Sequence, residues 1–468
     1  MNTHFKLSGK SLHKLKSALF SGDGKEAVAL VLCGHVCNGE QVILLAHQVI
    51  PLTDDSYSIQ NNHFVRWKTD ELRPVLERAE RDNLTVVKFH CHPSGYEKFS
   101  DIDNESDKAL FPSIYDWLSH DVPCLSAILL PNDKIIIRHV DDAGNFLPAS
   151  ATVIGDEIVH HSATQEDHAP YEEFEKRNLQ AFGSATRNIL SKMKVAIIGC
   201  SGTGSPVIEQ LNRLGVGTLI NIDPDTVELK NLNRITNTKI SDAHAEKFKV
   251  DAIADSLNAI GLPTRVISIS KSIYDSEVIK QIATCDFIFG CVDSAEARVL
   301  MSRMSNFYLI PYIDIGICLD ADGKGGVNNI SGKVSYFQPG KSDHLSRKSV
   351  LPSTLEAETL KRVNPIEYKT LLDEGYIKGV VENSPAIIPV NTYASSMGVL
   401  EFLARIHDYR NEPNSDFAQQ TFCLVNNFFE HKKESDFAES KMSDKYEGRG
   451  DLPLLLDMPV FSLIQEVA

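Results

Sequence analysis

Basic residues are scarce in this chain relative to acidic ones. Among its 468 residues, 47 are Lys or Arg and 63 are Asp or Glu, which gives a formal net charge of -16. We therefore expect no nucleic-acid partner, because binding to phosphates requires a basic surface. An acidic surface instead favours a neutral or basic partner.

Paired cysteine motifs are also missing. None of the nine cysteines forms a C-x-x-C pair, so neither a disulfide framework nor a four-thiolate zinc site is expected, and a reducing cytoplasm fits the chain best. The sequence has no secretion-signal pattern and no apolar run of membrane-spanning length. We therefore expect a soluble protein with no membrane partner.

A glycine-rich turn between two apolar segments organises the chain. The first segment, Val195 to Ile198, predicts a strand buried on both faces of a parallel sheet. Gly199, Gly202 and Gly204 follow it, then a helical pattern, and then a second strand that ends in Asp223. This order predicts a mononucleotide-binding β–α–β unit, in which backbone N–H groups bind phosphate and the carboxylate binds a ribose hydroxyl.

The turn alone does not choose between NAD and ATP, because Asp223 also has the spacing of a dinucleotide fingerprint. The residues after it favour ATP, since Asn231 and Arg234 place an amide and a guanidinium where a triphosphate would extend. The run from Asp223 to Arg234 resembles the signature of the ThiF/MoeB family, the adenylation domain shared with ubiquitin-activating enzymes. A second match is C-V-D-S-A-E-A-R, which begins at Cys291 and contains Asp293.

This resemblance covers about residues 177–405 and implies binding of ATP and magnesium. By the family pattern, the three glycines cradle phosphate, Asp223 holds the ribose, Asn231 and Arg234 face the triphosphate, and Asp293 binds magnesium and aids adenylation.

Two further family positions are matched less uniquely. A lysine beyond Arg234 should grip the phosphates; Lys247 stands at the family's distance and is preferred, but Lys249 fits better when counted back from the following helix. Arg177 matches an arginine that family dimers donate to the partner's nucleotide, so a homodimer is implied.

Thioester-forming relatives carry a catalytic cysteine in a region that has none here, between Ile330 and Pro389. Either the reaction stops at an acyl-adenylate, or Cys318 or Cys423 takes that role from an atypical place.

A second candidate site lies in the N-terminal part of the chain. The predicted strand from Thr85 to Phe89 runs into His90 and His92, which project to the same side of an extended chain and can meet one metal ion. Asp103 begins a segment predicted to start a helix and can supply a third ligand.

With Glu26 upstream and Ser100 between, these residues resemble the JAMM motif of the JAB/MPN metalloproteases, E…H-x-H-P-x6-S-x-x-D. The resemblance implies zinc bound by His90, His92 and Asp103. It makes Glu26 the general base and Ser100 a hydrogen-bond donor to the developing oxyanion.

We therefore predict an α/β protein in which a JAB/MPN domain (1–150) and a linker (151–170) precede a Rossmann-like ThiF domain with a mainly parallel sheet (171–468). The predicted enzyme trims or releases a ubiquitin-like or sulfur-carrier-like small protein and adenylates its C-terminal carboxylate; whether it trims precursors or removes conjugates stays open. The alternatives are a nucleotide-dependent scaffold and an NAD-dependent oxidoreductase. The charged segment 430–450 is expected to be partly disordered.

Overall fold

The computed structural model describes residues 2–39, 41–162, 171–374, 376–377, 385–452 and 454–461. The chain divides into two compact units. The first comprises Met1–Asp167, Asn306–Leu309 and Met442–Met458, and the second comprises His168–Ser305, Ile310–Lys441 and Pro459–Ala468. Within the described ranges, every helix is too short or too polar to cross a membrane.

The first unit is built on an eight-stranded sheet. Its strands and those of a separate two-stranded sheet are β1 Asn2–Ser8, β2 Val28–Cys37, β3 Gln41–Pro51, β4 Tyr57–Gln60, β5 Val65–Trp67, β6 Thr85–Cys91, β7 Cys124–Leu129, β8 Ile135–Val140, β9 Phe146–Ile154 and β10 Ile158–Ser162. Its larger helices are α1 Gly9–Leu19, α2 Leu72–Arg81 and α3 Asp101–Trp117. The sheet order is β1-β3-β2-β6-β7-β8-β9-β10, and β1 also pairs with β9, while β4 pairs with β5.

Every residue of β6 is buried, as its apolar run predicts for a central strand. Helices α2 and α3 contribute apolar side chains to a core that also includes β2 and β6. The same α3 begins with the predicted metal ligand Asp103 in its first turn, so this core positions the candidate site.

The predicted boundary at residue 150 and the linker that follows it are corrected by the structure. Residues 151–162 belong to β9 and β10, whereas 163–170 lie outside the described residues. The strand pairing explains the error: β9 pairs with β1 in parallel, Ala151 opposite Phe5. Sequence periodicity does not reveal a partner at the other end of a domain.

The second unit contains another eight-stranded sheet. Its strands are β11 Lys194–Ile198, β12 Thr218–Ile222, β13 Arg265–Ile269, β14 Phe287–Gly290, β15 Tyr312–Ala321, β16 Val327–Phe337, β17 Gln419–Cys423 and β18 Phe428–Lys432. Its helices are α4 Lys176–Lys192, α5 Gly204–Leu214, α6 Ile240–His244, α7 Lys249–Ile260, α8 Ser276–Ile282, α9 Ala295–Tyr308, α10 Pro352–Val363, α11 Pro365–Asp373 and α12 Ile388–Ile406, with the last residues of α9 grouped in the first unit.

The order of this sheet is β13-β12-β11-β14-β15-β16-β17-β18. The five strands from β13 to β15 are parallel, and their order is that of a Rossmann-type sheet with its switch point between β11 and β14. The last three strands join antiparallel. The sheet is therefore mixed, and the expectation of a mainly parallel sheet holds for its first five strands alone.

A C-terminal strap, residues 442–452 and 454–458, belongs to the first unit and not to the predicted ThiF domain, a correction of the predicted boundary. It begins with a short helix, α13 Ser443–Tyr446, and then lies on the backbone of β2. The Gly34 N–H donates to Gly448 O at 3.1 Å, and the Asp451 N–H donates to His35 O at 3.1 Å. Segment 430–450, expected to be partly disordered, thus contributes to strand β18 and to the strap.

Candidate functional site

The glycine turn of the second unit follows β11, at the switch point of the sheet. Gly199 has φ +88°, and a Cβ there would lie 2.5 Å from the Cys291 carbonyl oxygen, just beyond β14. A Cβ on Gly204 would collide with the Gly199 carbonyl oxygen. Both positions therefore require glycine, and α5 begins at Gly204 with its N-terminus at the carboxyl edge of the parallel strands, where such sheets bind ligands.

Asp223 follows β12 directly, and its carboxylate is buried beside the turn. Its Oδ2 accepts the Cys200 N–H at 2.8 Å, and its Oδ1 accepts the Asp225 N–H at 2.9 Å. Burial raises the pKa of the Asp223 carboxyl, and the charge of Lys249 and these two N–H donors oppose that rise. These hydrogen bonds fix the carboxylate beside the glycine turn, where it is predicted to bind a ribose hydroxyl.

Of the two candidate lysines, Lys249 lies next to this carboxylate. Its ammonium is 3.6 Å from Asp223 Oδ1 and 2.6 Å from Asp225 Oδ2, and its side chain is 7% exposed. Lys247 instead pairs with Asp255, and its side chain is 30% exposed. Lys249 is therefore the lysine beside the predicted ribose carboxylate, and which of the two lysines binds the phosphates stays a prediction.

Arg234 and an unpredicted residue, Asn391, meet over the glycine turn. A Cβ on Gly202 would lie 3.2 Å from Arg234 Cδ and would overlap the Asn391 amide nitrogen. Asn391 lies at the start of α12 and is buried. Asn231 is buried as well, and its side-chain oxygen accepts the Glu228 N–H at 3.1 Å. Since Asn391 belongs to no local motif, no sequence signal pointed to it.

Asp293 is exposed on the turn between β14 and α9. The Arg298 guanidinium braces this turn by donating to Val292 O at 2.9 Å and to Asp314 Oδ1 at 2.9 Å. Arg177 is exposed near the start of α4, where it donates to Gln180. Its predicted donation to a partner's nucleotide stays a prediction.

The two cysteines proposed as alternative nucleophiles lie in one row of the sheet. Cys318 in β15 and Cys423 in β17 are both opposite Ser331 of β16. Cys318 is exposed and Cys423 is half-buried. Because one strand separates them, their backbones are roughly 10 Å apart, too far for a disulfide.

In the first unit, the structure brings the three predicted metal ligands together. One ligand atom from each of His90, His92 and Asp103 lies within 4.8 Å of the other two. His90 Nε2 is 3.2 Å from Asp103 Oδ1, and His92 Nε2 is 3.5 Å from Asp103 Oδ2. The two imidazoles come from the end of β6, and the carboxylate comes from the first turn of α3.

Neighbouring groups orient two of these ligands. His92 Nδ1 is 2.8 Å from Tyr96 O, a contact in which the ring donates its Nδ1 proton, so that Nε2 is the nitrogen that faces His90 and Asp103. The Ser100 N–H and Oγ both donate to Asp103 Oδ2, at 2.7 and 2.8 Å, while the Asp103 N–H donates to Ser100 Oγ. Ser100 therefore caps α3 and fixes Asp103 in this state, a role that differs from the predicted oxyanion donor.

Glu26 is buried and lines the same cleft as His90, Ser100 and Asp103. Burial raises the pKa of the Glu26 carboxyl to about 7, with the charge of His92 opposing the rise and that of Asp103 adding to it. A carboxyl group with a pKa near neutral is suited to accept and release a proton at physiological pH.

Comparison with known proteins identifies the family to which the second unit corresponds. The model of the ThiF family matches residues 175–442, and the chain belongs to the ThiF family.

The chain is similar to proteins named ubiquitin-like modifier-activating enzyme 5. It is 24% identical to the one from Culex quinquefasciatus over 277 residues, which covers 55% of this chain and 66% of that protein. It is 29% identical to the one from Drosophila willistoni over 182 residues, covering 36% and 42%. The chain therefore spans less than two thirds of the length of these relatives.

Among solved structures, E. coli MccB with MccA-N7isoASN has a TM-score of 0.45 and 20% identity, covering 58% of this chain and 74% of that one.

Proposed function

We propose that the second unit uses ATP to adenylate the C-terminal carboxylate of a small ubiquitin-like or sulfur-carrier-like protein. The observation that carries this proposal is the Asp223 carboxylate, fixed to the glycine turn by the Cys200 N–H at the switch point of a Rossmann-order sheet. Membership of the ThiF family supports it, as do the names of the similar proteins, which are described as ubiquitin-like modifier-activating enzymes.

In this reaction a carboxylate oxygen of the carrier attacks the α-phosphorus of ATP. A new O–P bond forms, and the bond from the α-phosphorus to the bridging oxygen breaks and releases pyrophosphate. Asp223 would accept hydrogen bonds from the ribose hydroxyls. The N–H groups around Gly202 and the Arg234 guanidinium would bind the phosphates.

The exposed Asp293 carboxylate fits a magnesium ion, which prefers oxygen ligands. When bound with ATP, magnesium would supply positive charge that offsets the negative charge of the phosphates. Asp293 would hold it, and Lys249 would add a second positive charge near the ribose carboxylate.

A thermal-shift comparison of nucleotides tests the proposal. Magnesium–ATP should raise the melting temperature, because a ligand that binds the native state stabilises it by an amount set by its saturation. Stabilisation by NAD without any response to ATP would instead favour the oxidoreductase alternative. ATP–pyrophosphate exchange that depends on an added carrier would separate an adenylating enzyme from a nucleotide-dependent scaffold.

We also propose that the first unit is a zinc-dependent peptidase that acts on the same carrier. The proposal rests on the convergence of His90, His92 and Asp103 beside the buried carboxyl of Glu26. Two imidazoles and one carboxylate form a three-ligand set suited to zinc, and the orientation of His92 by Tyr96 O fits metal binding. Zinc bound there would lower the pKa of a bound water to about 7. Glu26 would hold and transfer the proton.

Metal analysis and hydrolysis together test this second proposal. The purified chain should contain one zinc ion, and His92→Ala should lose both zinc and cleavage of a carrier with a C-terminal extension. Glu26→Ala should keep zinc but hydrolyse about 10²- to 10⁴-fold more slowly, the range for loss of a general base. Wild-type protein without stoichiometric zinc would contradict the proposal.

A further inference from the structure

The turn that carries Asp293 is held by a helix distant in sequence. Ser294 Oγ donates to Glu358 Oε2 of α10 at 2.9 Å, and the backbone N–H of Glu296 donates to the same oxygen at 2.8 Å. First-turn N–H groups have no partner within their own helix, and a carboxylate that accepts one acts as an N-cap. Ser294 Oγ also accepts the Ala297 N–H at 3.2 Å as the local N-cap. Glu358 therefore adds a second capping group from a neighbouring helix, one residue beyond Asp293.

A second set of polar contacts joins the same two helices. Arg362 donates to Glu296 through both Nη2, at 2.6 Å to Oε1, and Nε, at 3.0 Å to Oε2. Thr359 Oγ1 also donates to Glu296 Oε1 at 3.2 Å. Glu358, Thr359 and Arg362 are spaced to share one face of α10, so this face is bound to the first turn of α9.

Apolar packing contributes little to the attachment of α10 and its neighbour α11. Ala357 is the one buried residue of α10, and Tyr368 is the one buried residue of α11, both helices lying fully within the described part of the chain. Val363 is 65% exposed and Ile366 is 82% exposed. The polar contacts through Glu358 and Arg362 therefore carry much of the connection between α10 and the Asp293 turn.

We propose that Glu358 is a positioning residue for adenylation: it caps the first turn of α9 and thereby holds Asp293 where its carboxylate can serve magnesium–ATP. Without Glu358, Ser294 Oγ and the Glu296 N–H lose their shared acceptor, while Arg298 still donates to Val292 O. Asp293, which lies between Val292 and Ser294, is then held firmly from one side only. This inference rests on the proposed function of the second unit.

Calorimetric titration of the full chain with ATP, with magnesium and with EDTA, tests the proposal. In Glu358→Ala, the gain in ATP affinity caused by magnesium should fall about tenfold, the scale of one hydrogen bond to a charged group. The affinity in EDTA should stay at the wild-type value, because Glu358 does not contact the glycine turn through the bonds described. Glu358→Gln keeps an acceptor oxygen and should recover most of the gain. Glu356→Ala, which removes an exposed carboxylate from the same helix, is the matched control.

Hydrogen exchange of the amides at 294–298 provides a readout that needs no nucleotide. Glu358→Ala should lose protection there, whereas Glu356→Ala should not. Unchanged exchange, or an unchanged magnesium effect on ATP affinity, would overturn the positioning role. Wild-type protein that binds no ATP would refute the adenylation proposal, and the exchange result would still decide whether Glu358 holds the turn.

Discussion

Glu26 is a carboxyl group whose burial raises its pKa from the ordinary 4.5 to about 7. Because the folded state binds this proton more tightly than the unfolded state, the stability contributed is full below pH 4.5 and is lost as the pH rises through 7. Glu26→Gln removes the titration. At pH 8 it should therefore raise the free energy of unfolding by about 1–3 kcal/mol, with little effect at pH 4.

Urea denaturation in EDTA at the two pH values measures this difference. Glu105→Gln, at an exposed position of α3, is the matched control and should change stability little at either pH. Equal stability of Glu26→Gln and wild type at pH 8 would show that burial in the folded state does not raise the pKa of the Glu26 carboxyl.

Gly202 is the point where Arg234 and Asn391 approach the glycine turn. Gly202→Ala should weaken binding of magnesium–ATP, because the added methyl overlaps the Asn391 amide. The double variant Gly202→Ala/Asn391→Ala removes that overlap and should bind ATP more tightly than Gly202→Ala alone, as measured by thermal shift. If the double variant binds ATP no more tightly than Gly202→Ala, the added methyl must instead clash with the Arg234 side chain or distort the backbone.

Local patterns identified the residues of both sites that lie within short motifs. The H-x-H pair, Asp103 and Asp223 were found because strand and turn chemistry constrain neighbours in sequence. Asn391 and Glu358 could not be found in this way, since tertiary packing alone brings α12 and α10 to the site. The choice between Lys247 and Lys249 stays a prediction, although Lys249 is the one that lies beside Asp223.

At the scale of elements, the capping box of α3 also orients a predicted metal ligand, because Ser100 both caps the helix and donates to Asp103. Ser100→Ala should lower the free energy of unfolding by about 1 kcal/mol, the cost of a lost N-cap. It should also weaken zinc binding by roughly 10- to 100-fold, as expected for loss of a group that orients a ligand. Ser113→Ala, at an exposed position of the same helix, should change neither quantity. Zinc titration and urea denaturation measure the two effects, and full zinc affinity in Ser100→Ala would contradict the orienting role.

The elements that periodicity predicted best are the buried parallel strands around the glycine turn. β11 and β14 are continuous apolar runs and lie at the centre of the sheet, as expected. The strands at 146–162 were missed because their role depends on pairing with β1, a contact that no local pattern encodes. The antiparallel strands of the second sheet were missed in the same way, since β17 and β18 return to the sheet only after α10, α11 and α12.

At the scale of the whole molecule, the implied homodimer makes a prediction about Arg177. If Arg177 acts on a partner's nucleotide, then Arg177→Ala and Asp293→Ala should each lose carrier-dependent pyrophosphate exchange. Mixing the two variants should restore part of it, because a mixed dimer contains one site with both residues. Exchange that stays absent in the mixture, with dimers shown by light scattering, would assign Arg177 a role within its own chain or none.

The C-terminal strap imposes an order of events on synthesis. The first unit uses backbone from residues 448 and 451 to cover Gly34 and His35, so a ribosome must pass residue 451 before that unit is complete. A chain stopped at residue 441 should expose this part of β2 and unfold its first unit at lower urea concentration than the full chain. A nick or premature stop near the C-terminus would thus impair the N-terminal unit, although every predicted metal ligand had already been made.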